Sequence, residues 1–156
     1  MTIEQVQKLA RKETKLVGFM VTASLNQDMA DGIVDKLRTD LLGKRHEIGN
    51  VVDDEGMYLV QVYPDCEWTP DVPFVHIVGV EVHDFTQIPD GFISHTISAG
   101  NYAKIVHIGP ESQIGDTYDA INERGLGDTR AFDFEYWKRV VAFDQNDSSI
   151  DIYIPL

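Results

Sequence analysis

The chain has 156 residues, with 13 Lys and Arg against 26 Asp and Glu, for a formal net charge of −13. That length fits one domain, or two small ones sharing a core, and 43% hydrophobic residues suffice for that core without covalent staples. The acidity argues against a nucleic-acid backbone, an anionic lipid surface or a polyanionic substrate as partner. It favours neutral or cationic partners, although most acids on such a surface simply serve solubility.

The single cysteine, Cys66, has no CxxC or Cys/His ligand spacing around it, and it has no second cysteine with which to close an internal disulfide. No HxxH or HExxH motif joins the scattered His46, His76, His83, His95 and His107, so no metal is expected. There is no GxSxG elbow and no phosphate-cradling glycine loop, and no cofactor is expected. The N-terminus lacks an apolar run of signal-peptide length and no stretch approaches 18 apolar residues, so the expectation is a cytoplasmic protein away from membranes.

Residues 1–12 read as a polar lead-in; if helical, it would place Ile3, Val6, Leu9 and Ala10 on one side. Lys15 to Ala23 is a near-continuous apolar run and reads as a buried strand. Asn26 is placed to cap a helix whose Met29, Ile33, Leu37 and Leu41 recur every four residues up to Gly43, with Gly32 weakening it a little. Met57 to Tyr63 is a strand stopped by Pro64, and Asp65 to Pro73 is a constrained loop carrying Trp68. Phe74 to Val82 is the strongest strand in the chain.

The second half follows the same plan. Strands are predicted at Phe92–Ala99 and Tyr102–Ile108, then a helix over 111–124 opened by Pro110, with Ile114, Tyr118 and Ile121 on one stripe. Strand pieces follow at Phe132–Trp137 and Val140–Phe143, and Ile150–Ile154 alternates to the end. The pattern is an internal duplication of a β-α-β-β unit, with repeat one at about 13–84 and repeat two at about 91–156. Helices separated by antiparallel hairpins indicate an α+β fold, with the function expected in a groove between the two helices.

These residues resemble the GyrI-like small-molecule-binding domain, also called the AraC-type effector-binding domain. The likeness is carried by the Pro89-Asp90-Gly91 turn, by Ala99-Gly100-Asn101-Tyr102-Ala103, and by Gly109-Pro110 leading a helix with Thr117-Tyr118. It is also carried by Phe134-Glu135-Tyr136, by the closing Ile152-Tyr153-Ile154-Pro155, and in the first half by Val78-Gly79-Val80-Glu81-Val82. The resemblance spans roughly residues 12–156 and implies an eight-stranded antiparallel sheet with a ligand cleft bounded by two helices. It also implies binding of amphipathic, often cationic, drug-like molecules. The likeness begins within about 15 residues of the N-terminus, so no helix-turn-helix and no direct reading of DNA is expected. Some stand-alone relatives resemble hydrolases that open cyclopropane rings of DNA-alkylating natural products, and others modulate DNA gyrase. A gyrase partner here would have only the acidic surface to support it.

Strand alternation puts Asp133, Glu135 and Trp137 on one face of their strand and Phe132, Phe134 and Tyr136 on the other. A carboxylate beside an indole can hold an aromatic cation, the acid supplying charge and the ring a π face. From the residues alone Glu135 reads first as a solvated edge-strand acid; the resemblance reverses this and implies a pocket acid at this position. Glu81 shares a face with Val75, Ile77 and Gly79 and is either a buried general acid or a strand-end Glu reaching solvent or a basic partner. If the protein is an enzyme, Glu81 and Glu135 are the expected catalytic pair. Trp137, Trp68, Tyr102 and Tyr118 are the further candidates for lining a ligand site, with ordinary core packing the competing explanation for each.

Overall fold

The structure, a computed structural model, describes residues 6–52, 56–126, 130–138 and 149–156. In chain order the elements are β1 (Gln7–Arg11), β2 (Thr14–Ala23), α1 (Leu25–Asp31), α2 (Ile33–Lys44), β3 (Met57–Val62), β4 (Phe74–Glu81), β5 (Ile93–Ile97), β6 (Gly100–Ile108), α3 (Ile114–Glu123), β7 (Phe132–Trp137) and β8 (Ser149–Pro155). The strands form one antiparallel sheet in the order β1-β6-β8-β7-β3-β4-β2-β5. One half reads β6-β8-β7 and the other β2-β4-β3, and the halves meet where β7 pairs with β3 from Met57↔Trp137 to Val62↔Phe132.

Connectivity forces this sheet to roll up. Six strand spacings separate β1 from β2 in the sheet order, roughly 29 Å if it were flat at about 4.8 Å each. Yet only Lys12 and Glu13 join them, and three Cα steps reach at most about 11 Å. The sheet therefore curls into a half-barrel. Leu16, Tyr58, Val60, Ile77, Ile97, Tyr102, Phe134 and Tyr153 pack on its inner face. Arg11 spans the rolled interior: its Nη2 donates to Thr14 Oγ1 and Tyr58 Oη, both at 3.3 Å, and its guanidinium lies 4.4 Å from the Tyr153 ring centroid. The outer face carries the larger core, in which Val34 and Leu41 of α2 and Ala120 and Ile121 of α3 pack on Val17, Leu59, Val78 and Ile152.

Three local outcomes differ from the sequence expectation. Within the lead-in, Gln7–Arg11 is a strand and not helical: it pairs with β6 and makes one edge of the sheet, because Leu9 at strand parity reaches the inner core, while Ile3 lies outside the described residues. The first helix is two helices. Gly32 sits at φ 62°, a left-handed conformation that glycine adopts without cost, and ends α1 there. Ser24, not Asn26, caps α1: Ser24 Oγ accepts from the Gln27 amide (3.1 Å) and Gln27 Oε1 from the Ser24 amide (2.9 Å). Asp28 then accepts from the Val34 amide at 2.8 Å, tying the two helices together. The piece at Val140–Phe143 lies outside the described residues. Among the described residues, no helix is long and apolar enough to cross a membrane.

One pair of residues fixes how closely the strands approach. Gly18 of β2 faces Gly79 of β4, and a Cβ on Gly18 would run into the backbone carbonyl of Val78. Only glycine fits at that crossing.

Candidate ligand-binding site

The site grows from the alternation of β7. Phe134 points into the half-barrel, while Asp133, Glu135 and Trp137 point outward beneath the helices, buried to 4% exposure at Glu135 and 1% at Trp137. The α3 stripe then lowers Tyr118 onto the strand. Its start is pinned by His107, whose Nδ1 pairs with Thr117 Oγ1 (2.7 Å) and whose Nε2 pairs with the Pro110 carbonyl (2.9 Å).

The Tyr118 hydroxyl donates to Glu135 Oε2 at 2.6 Å, and the Trp137 indole N–H donates to Glu135 Oε1 at 3.0 Å. Both donors are neutral, and among the described residues no Lys, Arg or His pairs with Glu135. Burial therefore dominates, and it pushes the Glu135 carboxyl up to about 7 against the pull of the two donors. Burial and the facing carboxylate likewise hold the Tyr118 hydroxyl well above its ordinary range.

The network continues along the seam. Gln61 Nε2 donates to Tyr118 Oη (3.2 Å) and to Asp133 Oδ1 (2.7 Å). Asp133, fully buried, also accepts from Tyr63 Oη (2.7 Å) and Arg130 Nε (2.8 Å). The two outward carboxylates of β7 thus differ in kind: Asp133 is neutralised by a guanidinium, and Glu135 is held by neutral groups alone. On the other side Arg38 of α2 grips Glu111, Nη1 to Oε2 at 2.7 Å and Nη2 to Oε1 at 3.0 Å, with Asp35 Oδ1 at 2.7 Å from Nη2. Its guanidinium carbon lies 4.7 Å from the Trp137 ring centroid.

Of the residues singled out in the sequence, the structure brings together Glu135, Trp137 and Tyr118. It does not bring the others to them. Glu81 stands opposite Leu16 on the inner face of the sheet, whereas Glu135 stands opposite Leu59 on the outer face, so the two glutamates are on opposite sides of one sheet. Tyr102 is also inner, its ring against Phe132 and Phe134 and its hydroxyl bonded to the Ser98 carbonyl. Trp68 is 44% exposed on the loop after β3. Gln61, Arg38 and Glu111 are not singled out by the sequence, and Asp133 only as a neighbour on the face of Glu135. Arg38 left a signal, since it falls at the helical spacing of Val34 and Leu41 on the buried face of α2. Asp133 left another, sharing strand parity with Glu135. Among the described residues, no group of three or more His, Cys, Asp or Glu could hold a metal ion.

A family model described as Cass2, integron-associated effector binding protein, matches residues 9–156. The chain belongs to this effector-binding family. Its GyrI-like character, expected from the residue pattern, is thereby established. The Cass2-family chain is 30% identical over 130 residues to the transcriptional regulator BrlR of Pseudomonas aeruginosa, an alignment covering 79% of the chain and 46% of BrlR. It therefore spans about half the length of that curated relative. Among solved structures it is similar to SAV2435 bound to tetraphenylphosphonium, with TM-score 0.72, 14% identity, and coverage of 97% of this chain and 93% of SAV2435. It is similar to an integron cassette protein, VCH_CASS2, of Vibrio cholerae, with TM-score 0.67, 15% identity, and coverage of 99% and 97%. The EcmrR C-terminal domain aligns with TM-score 0.67, 16% identity, and coverage of 97% and 96%. At such identities these three likenesses are of fold.

Proposed function

We propose that this effector-binding chain captures lipophilic organic cations at the seam between α2 and α3, with Glu135 as the anchoring charge. The carrying observation is Glu135 itself: a buried carboxylate held by two neutral donors, one of them the indole N–H of Trp137. Such an acid gains more from a cation than any exposed acid of this chain does, because desolvation has already been suffered and little water screens the new pair. Tyr118 and Trp137 add aromatic surface on which delocalised cations are favoured. Tetraphenylphosphonium, the molecule bound to the fold relative SAV2435, has this chemistry.

The arrangement favours capture over turnover. Glu81 lies across the sheet, Asp133 is committed to Gln61, Tyr63 and Arg130, and Glu111 is committed to Arg38, so none of these three acids is free to work with Glu135. Calorimetric titration with tetraphenylphosphonium tests the reading. Wild-type protein should bind it, and Glu135→Gln should bind it about ten- to thirtyfold more weakly, the cost of about 1.5–2 kcal/mol for losing a charge-assisted contact. Equal affinity in the two proteins overturns the anchoring role.

A further inference from the structure

We propose that Arg38 is an internal competitor for the ligand: its guanidinium occupies the π face of Trp137, and the Arg38–Glu111 clasp must open before a cation can take that place. The inference rests on the cation-binding reading and concerns how that site is regulated.

Three observations carry it. First, Arg38 is almost completely buried, 5% exposed, which is rare for arginine and requires dedicated partners. Such partners include the two oxygens of Glu111 in a fork-to-fork pair and Asp35 one turn earlier on α2. Second, the pair bridges the two halves of the chain. Arg38 belongs to α2, and Glu111 lies in the 3-10 turn (Glu111–Gln113) that leads into α3, so the clasp ties together the helices flanking the seam. Third, the guanidinium sits 4.7 Å from the centroid of the ring whose N–H bonds Glu135. Trp137 thus offers its edge to the acid and its face to a cation already supplied by the protein.

A planar, delocalised, weakly hydrated cation stacked on an indole resembles chemically the ligands proposed for the site. Trp137 is 1% exposed and Glu135 4%, so a ligand reaches them only by displacing something. Arg38 can leave with its charge still paired, because Asp35 belongs to the same helix and its side chain is 72% exposed. The exchange trades one cation–π contact for another, which keeps its cost low and selects ligands whose own cation outcompetes a guanidinium.

Calorimetry and stopped-flow titration with tetraphenylphosphonium, on wild type, Arg38→Gln, Glu111→Gln and Glu135→Gln, tests the inference. Arg38→Gln should tighten binding three- to tenfold and speed association, and Glu111→Gln should do so to a smaller extent by loosening the same clasp. Unchanged or weaker binding by Arg38→Gln, in protein whose far-UV circular dichroism matches wild type, overturns the inference and makes Arg38 a wall of the site. If Arg38→Gln does not fold, Arg38→Lys serves: it keeps the charge but loses the fork, and faster association supports the clasp while unchanged kinetics refutes it. Failure of the underlying reading has a different signature. If neither wild type nor Arg38→Gln binds the cation, the site is not a cation site and both ideas fall. If wild type binds, Glu135→Gln weakens binding, and the clasp variants change nothing, only the present inference is lost.

Discussion

Tyr118 and Glu135 meet across 2.6 Å, and the contact joins a helix of the second half to the strand that seams the two halves of the sheet. Tyr118 is the part-exposed cover of an acid that is otherwise enclosed, and it stabilises the ionised form of Glu135 by donation. Tyr118→Phe should therefore move the titration of Glu135 to higher pH. Carbon-13 NMR of the Glu135 carboxyl measures this, and an unmoved midpoint would show that the hydroxyl does not support the charge.

Cation capture should follow the ionisation of that acid. With Glu135 titrating at about 7, roughly a tenth of the protein presents a carboxylate at pH 6 and roughly nine-tenths at pH 8. Affinity for tetraphenylphosphonium should rise roughly tenfold between those pH values, because only the ionised fraction is competent. An uncharged aromatic ligand should show no such rise. Isothermal titration at the two pH values, repeated with Glu135→Gln, separates these cases.

Stability should depend on pH in the opposite sense. The folded-state value of Glu135 is raised from 4.5 to about 7, so between these values the folded protein binds a proton that the unfolded chain has released. Stability from this group is complete below pH 4.5 and falls as pH rises to 7, by about 3 kcal/mol. Urea unfolding of wild type and Glu135→Gln at pH 5 and pH 8 measures it: the variant should lose less stability over the interval.

Asp133 should matter for folding more than for binding. Asp133→Asn removes the charge on which Arg130, Tyr63 and Gln61 converge in a fully buried place. The expected cost is about 3 kcal/mol, characteristic of breaking a buried pair from one side. A shift in the urea midpoint with an unchanged slope checks it.

Two glycine substitutions should separate by position. Gly18→Ala drives a Cβ into the Val78 carbonyl and should destabilise by about 3 kcal/mol. Gly43→Ala on α2 meets nothing within 4 Å and should stabilise by about 0.5–1 kcal/mol through helix propensity. Thermal unfolding of both proteins provides the comparison.

Most strands were legible because their alternation or apolar runs are local. Phe74–Glu81 and Phe132–Trp137 match their sequence readings within a residue, and the parity of β7 already placed Asp133, Glu135 and Trp137 on one face. The N-terminal strand was hidden because a short polar edge strand acquires its structure from its neighbour, here β6, and not from its own pattern. The groups that surround the Tyr118–Glu135–Trp137 network were hidden for a similar reason. Gln61 and Arg38 come from distant segments, and no local period links residue 38 to residue 111 or residue 61 to residue 118.

The sequence by itself determined the alternating β-α-β-β order, the face on which Glu135 lies, and the family pattern, since each depends on neighbours within a few residues. Only the tertiary structure decided which acids act together. Glu81 and Glu135 looked like a natural pair in the chain, yet the register places them on opposite sides of one sheet. The physical reason is the two-residue periodicity of strands combined with long-range pairing: a side chain's face is local, but which side of the sheet that face becomes is set by strands far away in sequence. The same rolling that joins β1 to β2 turns Glu81 toward the half-barrel and leaves Glu135 beneath the helices.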